Sequence, residues 1–534
     1  MSISAPQSSS APSADFHSVG SDATVHVSGA RALHDKQFWI LWLEHAIYLS
    51  LLVLVVAEPF STATVLFVFR IALALWVVKL TLTGFKVHRG PLAIPLLLFF
   101  IATGISTVFS YAPLLSWSRM AWYSVALICF LVTENVKSIA ELKWLVVALL
   151  IATSVSALET GWQFTAGIGT ELLTVTGPTR QAGLQAGDIV REINGHSVRR
   201  IWLWQRALRL TEHDSVLRMH VARPFPGGLE QVYVVVPRAA LEEWLRGPGQ
   251  LVVVGYPPRA QGHFYHAIPY AGMLTQVVAL CWGLLLASRC AKLGKRALLA
   301  LVFGGLAASL WATVTRAYLL AVLVGCLTVL WITARWKVRV IAAMATIILV
   351  AGGSFWIQSR RHVSWFSSAE PGTEYRMMMW ANSPRLIRQH PFLGIGLDSV
   401  RLAGNRFNIS AYKVFPLKSG HFHSTYIELA VDCGLPALGL WLWLMVEYFR
   451  HLRRLLLAST HAGWFAHGMA LGIFASAIAF YLGCLVQYTL GDGEVMPLVW
   501  LFMGCSVVLY RILTESTAPE QTDSRTPVRR ATIC

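Results

Sequence analysis

Residues 38–57 read FWILWLEHAIYLSLLVLVVA, with Glu44 and His45 the only acidic or imidazole side chains in the run. A hydrocarbon core of ~30 Å needs about twenty mostly apolar residues at 1.5 Å per residue of helix. The stretch is therefore read as a membrane-crossing helix. Working outward with the same ruler gives further spans at 60–80, 92–109, 120–133 and 142–164, then, after a long polar interval, at 266–287, 297–313, 317–333 and 340–357. A second polar interval precedes spans at 426–449, 465–488 and 496–513. The expectation is an all-α polytopic membrane protein of about 12 transmembrane helices with two large polar connections.

Composition agrees. Of 534 residues 55% are hydrophobic and only 13% charged, and mean hydropathy is +0.56. Soluble globular domains carry about 25% charged residues, so an ordinary cytosolic enzyme, a disordered chain and a fibrous repeat are excluded. Lys and Arg number 44 against 27 Asp and Glu, a formal net charge of +17. On a soluble chain that surplus would suggest nucleic acid. Here topology accounts for much of it: Lys79, Lys86, Arg89, Lys137, Lys143, Arg289, Lys292, Lys295, Arg296, Arg335, Lys337, Arg339, Arg450, Arg453 and Arg454 all fall on alternate connections. The short connections between them offer only Arg119 and Arg316. By the positive-inside rule both termini are expected in the cytoplasm and both polar intervals outside, in the periplasm of a Gram-negative cell. Residues 1–35 are Ser-rich, lack signal-peptide character and read as a disordered cytoplasmic tail, and 514–534 reads as a second cytoplasmic tail. The eight cysteines show no CxxC and no metal-ligand spacing, so neither a disulfide framework nor a metal centre is expected.

The first polar interval changes period. Between Gly167 and Pro237 the chain reads as turns and alternating strands, with Asn194-Gly195 a tight-turn signal, a helix over 201–210, and strands over 215–223 and 231–237. The string AGLQAGDIVREINGHSV at 182–198 closely resembles the central signature of a bacterial PDZ domain, so 166–246 is identified as a small α+β, strand-rich PDZ-like insert between spans five and six. That resemblance implies capture of a peptide by strand addition. Gly167, Ile168 and Gly169 would be the loop whose amides hold a C-terminal carboxylate. The plainer alternative is a spacer. Deletion of 169–238 is expected to leave chemistry intact and to weaken partner recruitment. A membrane PDZ domain also suggests an intramembrane metalloprotease, but no HExxH exists in the chain.

The second interval, 358–424, is basic although outward, with Arg360, Arg361, Arg376, Arg385, Arg388, Arg401, Arg406, Lys413 and Lys418 against Glu370, Glu374 and Asp398. An anionic substrate at the outer face explains such a bias. Its end reads Gly420-His-Phe-His423-Ser-Thr-Tyr426-Ile-Glu428, and ten residues after Ser424 comes Gly434. His423-Ser424 followed by Gly434 resembles the signature of O-antigen ligases and the related Wzy-type polymerases, bacterial polytopic glycosyltransferases of GT-C-like fold. Arg259-Ala-Gln-Gly262, Thr315-Arg316-Ala317, Arg376 to Trp380, His390-Pro-Phe-Leu-Gly-Ile-Gly396 and Gly491-Asp492-Gly-Glu494 resemble further segments of that family, in the same order. The chain departs from the family at Ala437, where Gly, Thr or Tyr is usual, which bears on ligase against polymerase.

The resemblance implies transfer of a glycan from undecaprenyl pyrophosphate to an acceptor hydroxyl, without cofactor, in lipopolysaccharide or surface-polysaccharide synthesis. Arginine suits a departing pyrophosphate because its planar fork binds phosphate oxygens in pairs and stays charged near lipid. Arg316 and Arg376 are the first choices as catalytic groups and Arg259 the third, as a substrate contact. His423 would take the acceptor's proton, or bind a phosphate oxygen, or orient the acceptor. His421 would point to the same side of an extended segment and could be confused with it. Trp380 and Tyr426 are either substrate platforms or interface anchors. Arg70, in the middle of the second span, is a carrier-lipid contact or half of a structural pair. Ligase to a lipid A core, polymerase and protein O-oligosaccharyltransferase differ only in the acceptor: core, glycan or protein. Outside the enzymes, a lipid-linked glycan flippase and a PDZ scaffold are the rivals.

Overall fold

The computed structural model describes residues 20–85, 90–198, 201–225, 228–246, 252–341, 343–344, 351–352, 371–403, 406–414 and 420–515. Among them nine helices are long and apolar enough to cross a membrane: Lys36–Ala57, Thr62–Thr83, Pro113–Asn135, Ile139–Ala166, Ala267–Ala287, Leu293–Ala312, Arg316–Thr333, Trp464–Gly483 and Met496–Glu515. Two more expected spans differ from the ideal. The third is a helix of only 16 residues, Ala93–Val108, and the tenth becomes Gly434–Ser459, whose second half carries Glu447, Arg450, Arg453 and Arg454. The expected span 340–357 lies largely outside the described residues.

Boundaries move where polar residues hide a helix. The fourth span begins at Pro113, a residue suited to the first helical turn, and continues through a 3₁₀ turn at Ser124–Leu127 to Asn135. Trp117-Ser-Arg119 masks its first turns in the sequence. The first helix begins at Gly20, inside the stretch expected to be an unstructured tail, because no proline interrupts it up to Ala57.

Three helices form the centre of the bundle: Ala267–Ala287, Trp464–Gly483 and Met496–Glu515 are largely buried, whereas most of the others present one face outward. Helix association in lipid rests on close packing. At the crossing of the first two, a Cβ on Gly283 would run into the backbone of Gly472. The outward faces carry Phe67, Trp144, Leu158 and Leu301, large apolar side chains that suit lipid. At one end of the bundle Glu44 pairs with both Lys79 and Lys137, and Arg511 donates to the Thr133 and Val136 carbonyls.

At the other end stands a six-stranded antiparallel sheet: β1 (Gly169–Leu172), β2 (Ile189–Ile193), β3 (His196–Ser197), β4 (Val216–Phe225), β5 (Gly228–Pro237) and β6 (Val252–Gly255), in the order β5-β4-β2-β1-β6 with β3 on β2. The helix Ile201–Leu210 has the expected limits, and Asn194 and Gly195 both take the positive φ that their turn requires. Val190, Leu217, Val236, Leu241, Trp204 and Trp244 fill its core, and Arg223 makes a paired ion contact to buried Asp188 at 2.7 and 2.8 Å. The insert does not stop at 246 as expected. Residues 252–255, expected to lie between the insert and the sixth span, pair along β1 as a fifth strand of the main sheet path.

Candidate active site

The site is built at the sheet-bearing end, on two turns. The first precedes the helix Arg316–Thr333. Val314 sits at φ 53°, a left-handed conformation that a β-branched residue rarely adopts, and holds of order 1–3 kcal/mol of strain. The turn is pinned by Arg259, whose Nε donates to the Thr313 carbonyl at 2.7 Å and whose Nη2 donates to Thr315 Oγ1 at 2.8 Å. Ala260 N also donates to the Ala312 carbonyl at 2.9 Å. Arg316 is thereby fixed as the first residue of its helix, half-exposed, and Tyr318 in the same turn is buried.

The second turn carries both histidines. His423 lies at φ 53°, so the segment reverses there instead of running extended, and the His421 and His423 rings come within 4.1 Å centroid to centroid. His423 N donates to His421 Nδ1 at 3.1 Å. Three contacts hold the reversal: Trp380 Nε1 donates to the Phe422 carbonyl at 2.7 Å, Phe422 N donates to a carboxylate oxygen of buried Glu428 at 2.5 Å, and Thr425 N and Oγ1 both donate to the Gln487 carbonyl. The Tyr375 ring stands edge-on to His423 at 5.8 Å, and Tyr488 lies 5.3 Å from His421.

A third arrangement joins these turns to the bundle. Residues 391–396 run beside 431–435: Ile395 N donates to the Val431 carbonyl at 3.0 Å, Gly396 N to Asp432 at 2.8 Å, and Leu435 N to Pro391 at 2.8 Å. Gly434, at φ 81°, lies so close that a Cβ would collide with the Phe392 carbonyl. Ser106 Oγ meets the carbonyls of Leu393 and Asp432. The helix Pro371–Gln389, which bears Arg376 and Trp380, is thus tied to the helix Thr425–Asp432 that comes after the histidines.

The Pro371–Gln389 helix touches the histidine turn directly through Trp380 and Tyr375, and its Arg376 acts electrostatically on both His421 and Tyr318, the latter in the first turn of the Arg316–Thr333 helix. Arg119, ion-paired with Asp398 at 2.7 Å, acts on His421 as well. Burial first, then the Arg376 and Arg119 charges, push His421 down from 6.5 to about 4, so at neutral pH it is an uncharged imidazole.

Residues 298–442 match the family model described as O-antigen ligase, and residues 175–223 match a PDZ domain model. This chain carries an O-antigen ligase domain and a PDZ domain. No curated protein matches it.

Both turns fall inside the ligase domain, which contains Arg316, Arg376, Trp380, His421, His423 and Tyr426. Their surroundings separate the expected roles. Trp380 spends its indole N–H on the histidine turn, so it positions the turn. Tyr426 packs against the helical core and donates its hydroxyl to the Tyr481 carbonyl at 3.0 Å, an arrangement that faces protein. Arg259, outside the ligase domain, is nine-tenths buried and directed at the Thr313–Thr315 turn. Arg70 lies on the exposed face of Thr62–Thr83, and no contact joins it to the two turns among the described residues. Beside the PDZ domain, the Ile168 amide expected to hold a foreign carboxylate donates instead to the Gly255 carbonyl at 2.8 Å. The sequence alone does not reveal Arg119, Tyr375 and Tyr488, which surround the histidines from distant segments. Only Arg119 leaves a trace there, as a cation on a connection where topology asks for none.

Proposed function

We propose that the protein is an inner-membrane glycosyltransferase of the O-antigen ligase type. It moves a glycan from undecaprenyl pyrophosphate to an acceptor hydroxyl at the periplasmic face, with inversion at the anomeric carbon. The observation that carries the reading is the convergence of Arg376 and the His421–His423 turn beside the helix start at Arg316, all within residues 298–442. The acceptor oxygen attacks the anomeric carbon as the bond from that carbon to the pyrophosphate oxygen breaks. The acceptor's proton passes to His423, and the electron pair leaves on the pyrophosphate. Arg316 and Arg376 take up the charge that develops on the leaving group. A fixed cation aimed at developing charge is worth about 3 kcal/mol, or ~10² in rate. His421, held neutral by burial and by its two neighbouring arginines, is a poor base and orients His423 through the contact to its backbone N–H.

Alternating basic connections support cytoplasmic termini, with the PDZ domain and both turns outside. The site as described favours no acceptor among lipid A core, a second carrier-linked glycan and a protein. The test supplies purified protein with undecaprenyl-pyrophosphate-linked glycan and each acceptor in turn, and identifies the product. Arg316→Ala, Arg376→Ala and His423→Ala are each expected to lower transfer at least ~10²-fold while the protein remains in the membrane. Full transfer by His423→Ala removes it as the base, and absence of transfer to every acceptor by the wild-type protein sinks the reading.

A further inference from the structure

A PDZ domain takes its ligand as an extra antiparallel strand in the groove between a sheet edge and a helix. In this chain that edge is β1, which comes directly after the Gly167-Ile168-Gly169 loop, and it is already filled. β6 pairs antiparallel with β1 from Gly169↔Gly255 to Leu172↔Val252, and it contacts the helix Ile201–Leu210 on its far side. Val252 packs on the core that contains Trp204 of that helix. At the head of the groove the Ile168 amide is taken by the Gly255 carbonyl at 2.8 Å. The occupant is the chain's own segment.

The chain just beyond β6 gives this docking its consequence. Gly255 leads through Tyr256-Pro257-Pro258 to Arg259, and consecutive prolines make a stiff connector. Arg259 in turn pins the strained Val314 turn from which Arg316 projects. A second attachment lies past Arg259: Leu229 N, at the start of β5, donates to buried Gln261 Oε1 at 2.9 Å. The sheet therefore grips the chain on both sides of Arg259.

We propose that the PDZ groove binds Val252–Gly255 in cis as a permanent ligand, and that this docking sets Arg259, and through it Arg316, in place for glycan transfer. Arg259 is then a positioning residue, and the groove is no receptor for a foreign peptide during turnover. The inference rests on the glycan-transfer reading of the site, but its first measurements need no activity.

Glu171 and Val253 face each other across β1 and β6, so Glu171→Cys/Val253→Cys should oxidise to a disulfide in the membrane-embedded full chain. Ala260→Cys/Ala312→Cys reports whether the Arg259 segment sits on its turn. Gly255→Leu should undock the strand, because a Cβ there meets the Ile189 side chain at 2.6 and 2.9 Å. Expected are a high yield at both cysteine pairs, unchanged transfer when 171–253 is oxidised, and loss of both cross-links in Gly255→Leu. That variant should also lose at least ~10-fold in kcat with little change in the donor KM, as for an interaction made in the transition state. Arg259→Lys, which keeps the charge but cannot span Thr313 and Thr315 with a planar fork, should show the same split without losing the 171–253 cross-link. Failure of 171–253 to cross-link, or inactivation on oxidation with recovery on reduction, overturns the proposal, the latter because the strand must then leave for another peptide. Full kcat in Gly255→Leu with both cross-links lost overturns it too. These outcomes are read against active wild-type protein, whereas failure of the glycan-transfer reading would appear as inactivity of the wild type itself.

Discussion

His421 and His423 are two residues apart and chemically identical, yet their surroundings give them different work. Burial and the cations of Arg376 and Arg119 hold His421 neutral down to about pH 4. A histidine whose folded value lies below its usual 6.5 contributes stability that is complete above pH 6.5 and is lost as pH falls toward 4. We therefore expect wild-type protein in detergent to lose thermal stability over that window, and His421→Gln to lose less. Equal pH dependence in both would mean that His421 does not control the turn. Trp380→Phe tests the neighbouring bond: loss of one buried hydrogen bond should destabilise the turn by about 1 kcal/mol and free the Phe422 carbonyl. Faster hydrogen exchange at 420–428, with partial loss of transfer, is the expected result. Glu58, on the connection between the first two spans, is buried with neither carboxylate oxygen hydrogen-bonded among the described residues, and burial together with nearby Glu494 raises it well above the usual carboxylate range. Such a group favours the folded state below the ordinary carboxylate value and loses that advantage as pH rises through its folded value. Glu58→Gln should consequently be more thermostable than wild type at alkaline pH, with the difference vanishing in acid.

At the scale of elements, the interlock of 391–396 with 431–435 ties the Pro371–Gln389 helix to the helix that comes after the histidine turn. Gly394 and Gly434 serve that contact: a Cβ on the first would collide with the Asp432 backbone and on the second with the Phe392 backbone. Gly434→Ala adds a methyl at φ 81° against the Phe392 carbonyl, and should cost of order 1–3 kcal/mol from the backbone conformation alone. The expected readout is a lower thermal midpoint and separation of the Pro371–Gln389 helix from the histidine turn, seen as loss of an Ile395→Cys/Val431→Cys cross-link. Retention of that cross-link at wild-type yield would show that the contact tolerates the methyl. Spacing can mark His423, Ser424 and Gly434 as belonging together, but not that Gly434 answers to a proline-containing segment some forty residues earlier.

Across the whole molecule, the proposed docking makes the PDZ domain part of what holds the Arg259 segment in place. On sequence alone, deletion of 169–238 spares the chemistry. With β1 and Leu229 gone, however, the Arg259 segment loses both attachments, so the deletion should abolish transfer to every acceptor while the ligase helices still insert. Retained transfer in that protein would show that the helices alone hold the turn. Polytopic class, the PDZ module and its helix limits, and the candidates Arg316, Arg376 and His423 are legible in the sequence, because hydrophobic length, turn chemistry and short motifs are local. The short third helix, the masked start of the fourth, the reversal at His423 and the strand at 252–255 are not. The strand depends on a partner far away in the chain: nothing in Val252-Val-Val-Gly255 names β1, some eighty residues earlier, as the strand it pairs with. Sequence by itself determined the polytopic class, the two domains and which arginine and imidazole side chains are on hand for the proposed chemistry, since hydrophobic length and short motifs are local. Tertiary structure decided which of them face one another, because both turns take a strained backbone conformation and lean on side chains from distant segments, Arg259 for one and Trp380 for the other.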